Sequence, residues 1–168
     1  MSNTNTTITP IQERPIANVN TNDAKNTSAS LNILLSNEYG LFTKTLNYHW
    51  NVVGPRFHSL HELFESQYKD LLDVMDDVAE RVRILGENPF GTVSKLNETM
   101  ELSEKNGGKL SSDTMISDLF NDNISIQTEI KKILSSEDIK NDPSTEDFLI
   151  SLLQKHEMMS WTLRSHLN

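Results

Sequence analysis

The sequence predicts an all-α fold: a four-helix bundle with a short extra helix in the connection between helices 2 and 3. Three observations carry this. Four long segments repeat apolar residues at spacings of three and four, the period of a single helix face. No alternating strand pattern of any length occurs. The second and third segments are joined by a longer connection interrupted by Pro89, Gly91, Gly107 and Gly108.

Residues 1 to about 22 are rich in Asn and Thr, carry Pro10 and Pro15, and have little to bury. They are expected to form a flexible polar tail, with residues 23–168 as one domain. The first helix follows, its stripe made by Leu31, Leu34, Leu35, Tyr39, Phe42 and Leu46. Gly54 and Pro55 break it. The second helix is expected from about His58 to Leu85, through Leu60, Phe64, Leu71, Met75, Val78 and Val82, with Gly86 as its stop. A short helix fits Val93 to Thr99. The third long helix is expected from about Ser112, the candidate cap, through Ile116, Leu119, Ile126 and Ile130 to about Ser135. Ser144, with Glu146 and Asp147 behind it, is expected to start the fourth, which carries Phe148, Leu152, Met159 and Leu163.

Composition limits the chemistry. Cysteine is absent, so disulfides and thiolate metal sites are excluded, and any metal must sit on imidazole and carboxylate. The formal charge of −9 disfavours a general affinity for nucleic acid and favours attraction of cations. No apolar run reaches membrane-span length, and the polar N-terminus lacks a signal-peptide segment, so a cytoplasmic location is the expectation.

Three of the five histidines, His49, His58 and His61, fall in the stretch "LNYHWNVVGPRFHSLHELFE". With His61 as origin and about 100° per residue, Glu65 lies about 40° round the second helix, Asp76 about 60° and Glu80 about 100°. All four share a face, yet they form two pairs. His61 and Asp76 are separated by about 22 Å along the axis, whereas metal–ligand bonds are about 2 Å long. Either the pairs are unrelated, or a second copy of the helix runs antiparallel and sets the acid pair of one chain against the histidine pair of the other. A site inside one bundle commonly uses Glu-x-x-His on two helices. No glutamate here is followed three residues later by histidine, which favours the two-chain arrangement. His49 can return across the short turn to complete the His61 side.

The segments "HWNVVGPRFHSLHELFE" and "DDVAERVRILG" closely resemble the Dps family, the miniferritins or DNA-binding proteins from starved cells. His49, Trp50, Val52, Gly54, Leu60, His61 and Glu65 meet the family pattern throughout. The resemblance extends over roughly residues 25 to 168. It implies a ferritin-like four-helix bundle assembling as a hollow homododecamer. Such proteins oxidise Fe(II), usually with hydrogen peroxide in preference to oxygen, and store Fe(III) mineral inside, protecting against oxidative damage. It further implies a di-iron ferroxidase site at the two-fold interface, with His49, His61 and Glu65 from one subunit and Asp76 and Glu80 from its partner. Position 65 is often Asp in the family; Glu here carries the carboxylate one methylene further out.

Other residues have competing readings. Trp50 either takes up a stray oxidising equivalent or packs, the commoner role at a helix end. His58 reads as a surface or capping residue, and His156 and His166 as packed or solvated. Glu62 either faces the cavity or belongs to a solvated helix face. Asp138, Asp142, Glu146 and Asp147 fit either a three-fold iron-entry pore or a capping cluster at a helix start. Through residue 25 the chain has Arg14 and Lys25 as its only bases, against Glu13 and Asp23, and it stops at "RSHLN", so DNA binding is expected to be weak or absent at physiological salt. A nucleoid-binding protein and a structural cage with a defective or zinc-occupied site are the competing functions.

Overall fold

The computed structural model describes residues 17–104 and 110–167. The expected tail therefore falls largely on residues 1–16, outside the described residues. In the described residues there are five α-helices, one 3₁₀ turn and no strand. They are α1 (Thr21–Asn51), α2 (Phe57–Ile84), α3 (Val93–Thr99), α4 (Ser112–Leu134), the 3₁₀ turn Glu137–Ile139, and α5 (Pro143–Ser165). The four long helices form the bundle, and α3 lies in the connection between α2 and α4, as the hydrophobic periodicity predicts.

The helix ends follow local chemistry. Asn20 caps α1 by accepting from the Asn22 amide at 2.8 Å, so α1 begins two residues inside the span expected as tail. α2 closes in a Schellman motif: the Gly86 amide donates to the Arg83 carbonyl and the Glu87 amide to the Val82 carbonyl. Gly86 supplies the left-handed residue this needs, at φ 92°. Two starts differ from expectation by one or two residues. Ser111, rather than Ser112, caps α4 by accepting from the Thr114 amide. Asp142, rather than Ser144, caps α5 by accepting from the Thr145 amide, and Pro143 opens the helix where no amide is needed.

The bundle combines two antiparallel hairpins, α1 with α2 and α4 with α5. Polar pairs fix the packing of α1 against α4. Tyr48 Oη donates to Asp118 at 2.9 Å, Lys44 Nζ lies 2.5 Å from Asp122, and Asn37 Nδ2 donates to Glu129 at 2.8 Å. Steps of four and then seven residues back along α1 match steps of four and seven forward along α4, so the two helices are antiparallel. Consequently α2 and α4 run in the same direction, and the long connection must carry the chain back to the starting end. Two α1 asparagines strap that connection down. Asn32 accepts from the Phe90 amide at 2.8 Å, and Asn37 from the Glu101 amide at 2.7 Å. Gly40 leaves room for Met100, whose Sδ would be 2.4 Å from any Cβ there.

Apolar residues fill the core, among them Leu31, Leu34, Phe64, Val78, Ile116, Leu119, Leu152 and Leu163. A polar layer crosses it. His156 Nε2 is 2.8 Å from Glu38 Oε1, and its Nδ1 is 2.9 Å from Asn123 Oδ1, all three residues being buried. Of the two readings for His156, packed and solvated, the structure shows the packed one. Near the other end Arg81 bonds both carboxylate oxygens of Asp142 and also Thr145, tying α2 to the start of α5. Burial would raise the Asp142 carboxyl, but the Thr145 hydrogen bonds and Arg81 outweigh it and hold it below the usual range. Asp142 is thus a buried cap and ion-pair partner, not an exposed pore acid. The other acids of that group divide: Glu146 and Asp147 are exposed, and Asp138 accepts from Asn26 Nδ2 at 3.0 Å.

Candidate metal centre

The turn between α1 and α2 builds the histidine pair. Gly54 adopts φ 105°, a conformation a side chain disfavours, and lets the chain reverse within a few residues. His49 in the last turn of α1 then meets His61 near the start of α2. Each imidazole Nδ1 donates to the other residue's backbone carbonyl, at 2.9 Å in both directions. The rings stack with centroids 3.8 Å apart and planes 17° from parallel. A carbonyl only accepts, so each Nδ1 carries a proton, and in the neutral ring Nε2 is the lone-pair atom. Metal-binding imidazoles are commonly held in this way, the other ring nitrogen tied to a carbonyl. The His49 carbonyl is one of the last-turn acceptors of α1 that lack a helical donor, and His61 satisfies it.

Aromatic rings box the pair. Phe57 stacks on His61 at 4.9 Å, and Tyr68 meets His49 edge-on at 5.2 Å. Neither is singled out by the motif, although their offsets of four residues before and seven after His61 place both on its helix face. Glu65 lies one turn beyond His61, where Lys69 Nζ sits 2.5 Å from its Oε1. That hydrogen bond, with the lysine charge, lowers the Glu65 pKa. Asp76 and Glu80 are exposed on the further half of α2.

The structure brings His49, His61 and Glu65 to one end of an unbroken α2 and leaves Asp76 and Glu80 along its length. Among the described residues no three His, Asp or Glu side chains gather as a metal site within the chain. Between the pairs, the same face of α2 exposes Leu72 (53% exposed), and Trp50 (68%) at the end of α1, Val53 in the turn and Phe57 at the start of α2 are exposed as well. Trp50 is thus largely exposed within its own chain. His58 is a surface residue 3.5 Å from Glu62, itself exposed. Among the described residues no helix is long and apolar enough to cross a membrane.

Four α-helices in this connectivity, with imidazoles and carboxylates displayed along one helix, define a ferritin-like protein, and the ferritin-like domain family matches residues 28–168. A low temperature-induced protein of Nostoc sp. is 39% identical over 80% of this chain and 76% of its own. A DNA protection during starvation protein of Brevibacillus brevis is 34% identical over 82% of this chain and 91% of its own. The crystal structure of a Dps protein from Vibrio cholerae O1 superposes with a TM-score of 0.87 over 93% of this chain and 98% of that one, at 24% identity. That protein is described as a member of a broad superfamily of ferritin-like diiron-carboxylate proteins. The chain belongs to the Dps family of ferritin-like proteins.

Proposed function

We propose that the protein is a ferroxidase and iron-storage protein. Two copies pair antiparallel along α2, and each of two equivalent sites joins His49, His61 and Glu65 of one copy to Asp76 and Glu80 of the other. The observation that carries this is the reciprocal tethering of His49 and His61, which leaves both Nε2 atoms available one turn from Glu65. Leu72, an exposed apolar residue midway between the two ligand pairs, supports a second copy on this face. The diiron-carboxylate character of the Vibrio relative supports iron as the metal.

Iron is the substrate. Imidazole nitrogens keep affinity for Fe(II), and carboxylates stabilise the harder Fe(III) product. Two Fe(II) ions each give up one electron, the O–O bond of hydrogen peroxide breaks, and with two protons two waters form. Peroxide is the preferred oxidant over oxygen in this reading, and a hollow homododecamer in the cytoplasm stores the Fe(III) mineral. DNA binding is weak or absent at physiological salt.

The test is Fe(II) oxidation by peroxide and by oxygen in wild type, His61→Ala and Asp76→Ala. Each variant should lose at least about tenfold in rate, the scale on which metal sites depend on their ligand shells. A mixture of the two should regain activity on re-forming dimers, because one site of a mixed dimer is intact. Both variants oxidising iron at the wild-type rate would refute the site.

A further inference from the structure

The Glu65 carboxylate, one of the five candidate ligands, is occupied by a cation of its own chain. Lys69 Nζ reaches Oε1 at 2.5 Å, with the lysine side chain 61% exposed. Between His61 and Glu80, α2 carries seven carboxylates and Lys69 as its only Lys or Arg. One turn away in the other direction lies Asp73, yet the lysine contacts Glu65. Glutamate preceding lysine by four residues is the favoured order on a helix. Lys69 also stands about 80° round α2 from His61, between Asp76 at about 60° and Glu80 at about 100°. Its ammonium therefore sits on the ligand face, four residues past Glu65 and seven before Asp76.

Resting on the two-chain site proposed above, we propose that Lys69 sets the metal affinity of that site. Its ammonium is a built-in counter-cation that a divalent metal must displace from Glu65 before the carboxylate can become a ligand. An exposed pair of this type is worth only about a factor of two in an equilibrium constant. A second chain packed over the face lowers the local dielectric and strengthens both the lysine–carboxylate attraction and the repulsion between ammonium and metal. The competition then amounts to about three- to tenfold. Every divalent ion that takes Glu65 as a ligand loses affinity by this same factor. Salt screens a covered pair less than an exposed one, so the effect shrinks only in part as ionic strength rises.

Calorimetric titration of the full chain with Zn²⁺, which binds such ligands without redox chemistry, tests this in wild type, Lys69→Met, Lys69→Arg and His61→Ala. Lys69→Met should bind about three- to tenfold more tightly than wild type at low salt, with the gap narrowing but not closing near 0.5 M salt. Lys69→Arg, which keeps the cation, should stay within about twofold of wild type. Equal or weaker binding by Lys69→Met, with His61→Ala still abolishing it, overturns the role of Lys69 and leaves the site standing. Wild-type binding by His61→Ala overturns the site itself, and the lysine proposal with it.

Discussion

Glu129 offers a direct test of how burial tunes this bundle. It leaves α4 toward α1 and Glu101, and burial, only partly offset by the Asn37 hydrogen bond, pushes its carboxyl up to about 7 from 4.5. Glu101 and Glu38 add to the rise, and Lys132 opposes it. The native chain thus holds this proton more tightly than the unfolded chain does. Between about pH 4.5 and pH 7 stability must fall as pH rises, with the full penalty present above the native value. At about 1.36 kcal/mol per pH unit the limit is on the order of 3 kcal/mol. Residual solvation brings the expectation to about 1–3 kcal/mol. Glu129→Gln removes the charge and keeps an acceptor for Asn37 Nδ2. Urea unfolding at fixed protein concentration should show the variant about 1–3 kcal/mol more stable near pH 8, and within about 0.5 kcal/mol of wild type near pH 4. An offset of the same size at both pH values would refute the titration argument.

Two further perturbations probe the core and the turn. His156→Leu strands the buried Glu38 carboxylate and the Asn123 carbonyl, which should cost about 3–5 kcal/mol in denaturant unfolding; adding Glu38→Met should recover more than half, and a single-variant cost below about 1 kcal/mol would show that these hydrogen bonds do not hold the bundle together. Gly54→Ala forces a side chain into the left-handed region and should lower stability by about 1–3 kcal/mol, whereas Gly91→Ala, with open space around its Cβ position, should change it by less than about 1 kcal/mol; equal losses in the two would count against backbone strain at the turn.

Helix number, order and lengths were legible because periodicity reports which face is buried, and every long helix here buries one. The cap positions were not, because Ser111 and Ser112 are equivalent in sequence, and only the backbone angle selects Ser111. At α5 the Asp142–Pro143 pair, a capping acid before a helix-opening proline, is a stronger signal than Ser144. The polar core layer was missed for a different reason. Glu38, Asn123 and His156 each occupy a position in an apolar stripe, between Leu34 and Leu41, Leu119 and Ile126, and Leu152 and Met159. A polar residue in a stripe flags a buried group, but which groups meet depends on the register between helices. The histidine pair was legible because its two members are joined by a short turn. The Lys69 contact lay in view as an i,i+4 pair and carries meaning only beside the ligand face.

The polar pairs between α1 and α4 also act as a vernier. Two helices joined only by aliphatic side chains can slide past each other by a turn, about 5.4 Å, and still bury most of the same surface. Here a slide in one direction would set Glu129 opposite Leu41 and Lys44 opposite Ile126. In the other it would set Glu129 opposite Ile33 and Asp122 opposite Gly40. Each wrong alignment faces a carboxylate with a side chain that offers it no hydrogen bond. The spacing of three acids along α4 therefore selects a single axial setting of α1, and α1 is the helix whose last turn carries His49. The height at which that imidazole meets His61 is thus set, at the far side of the bundle, by Asp118, Asp122 and Glu129.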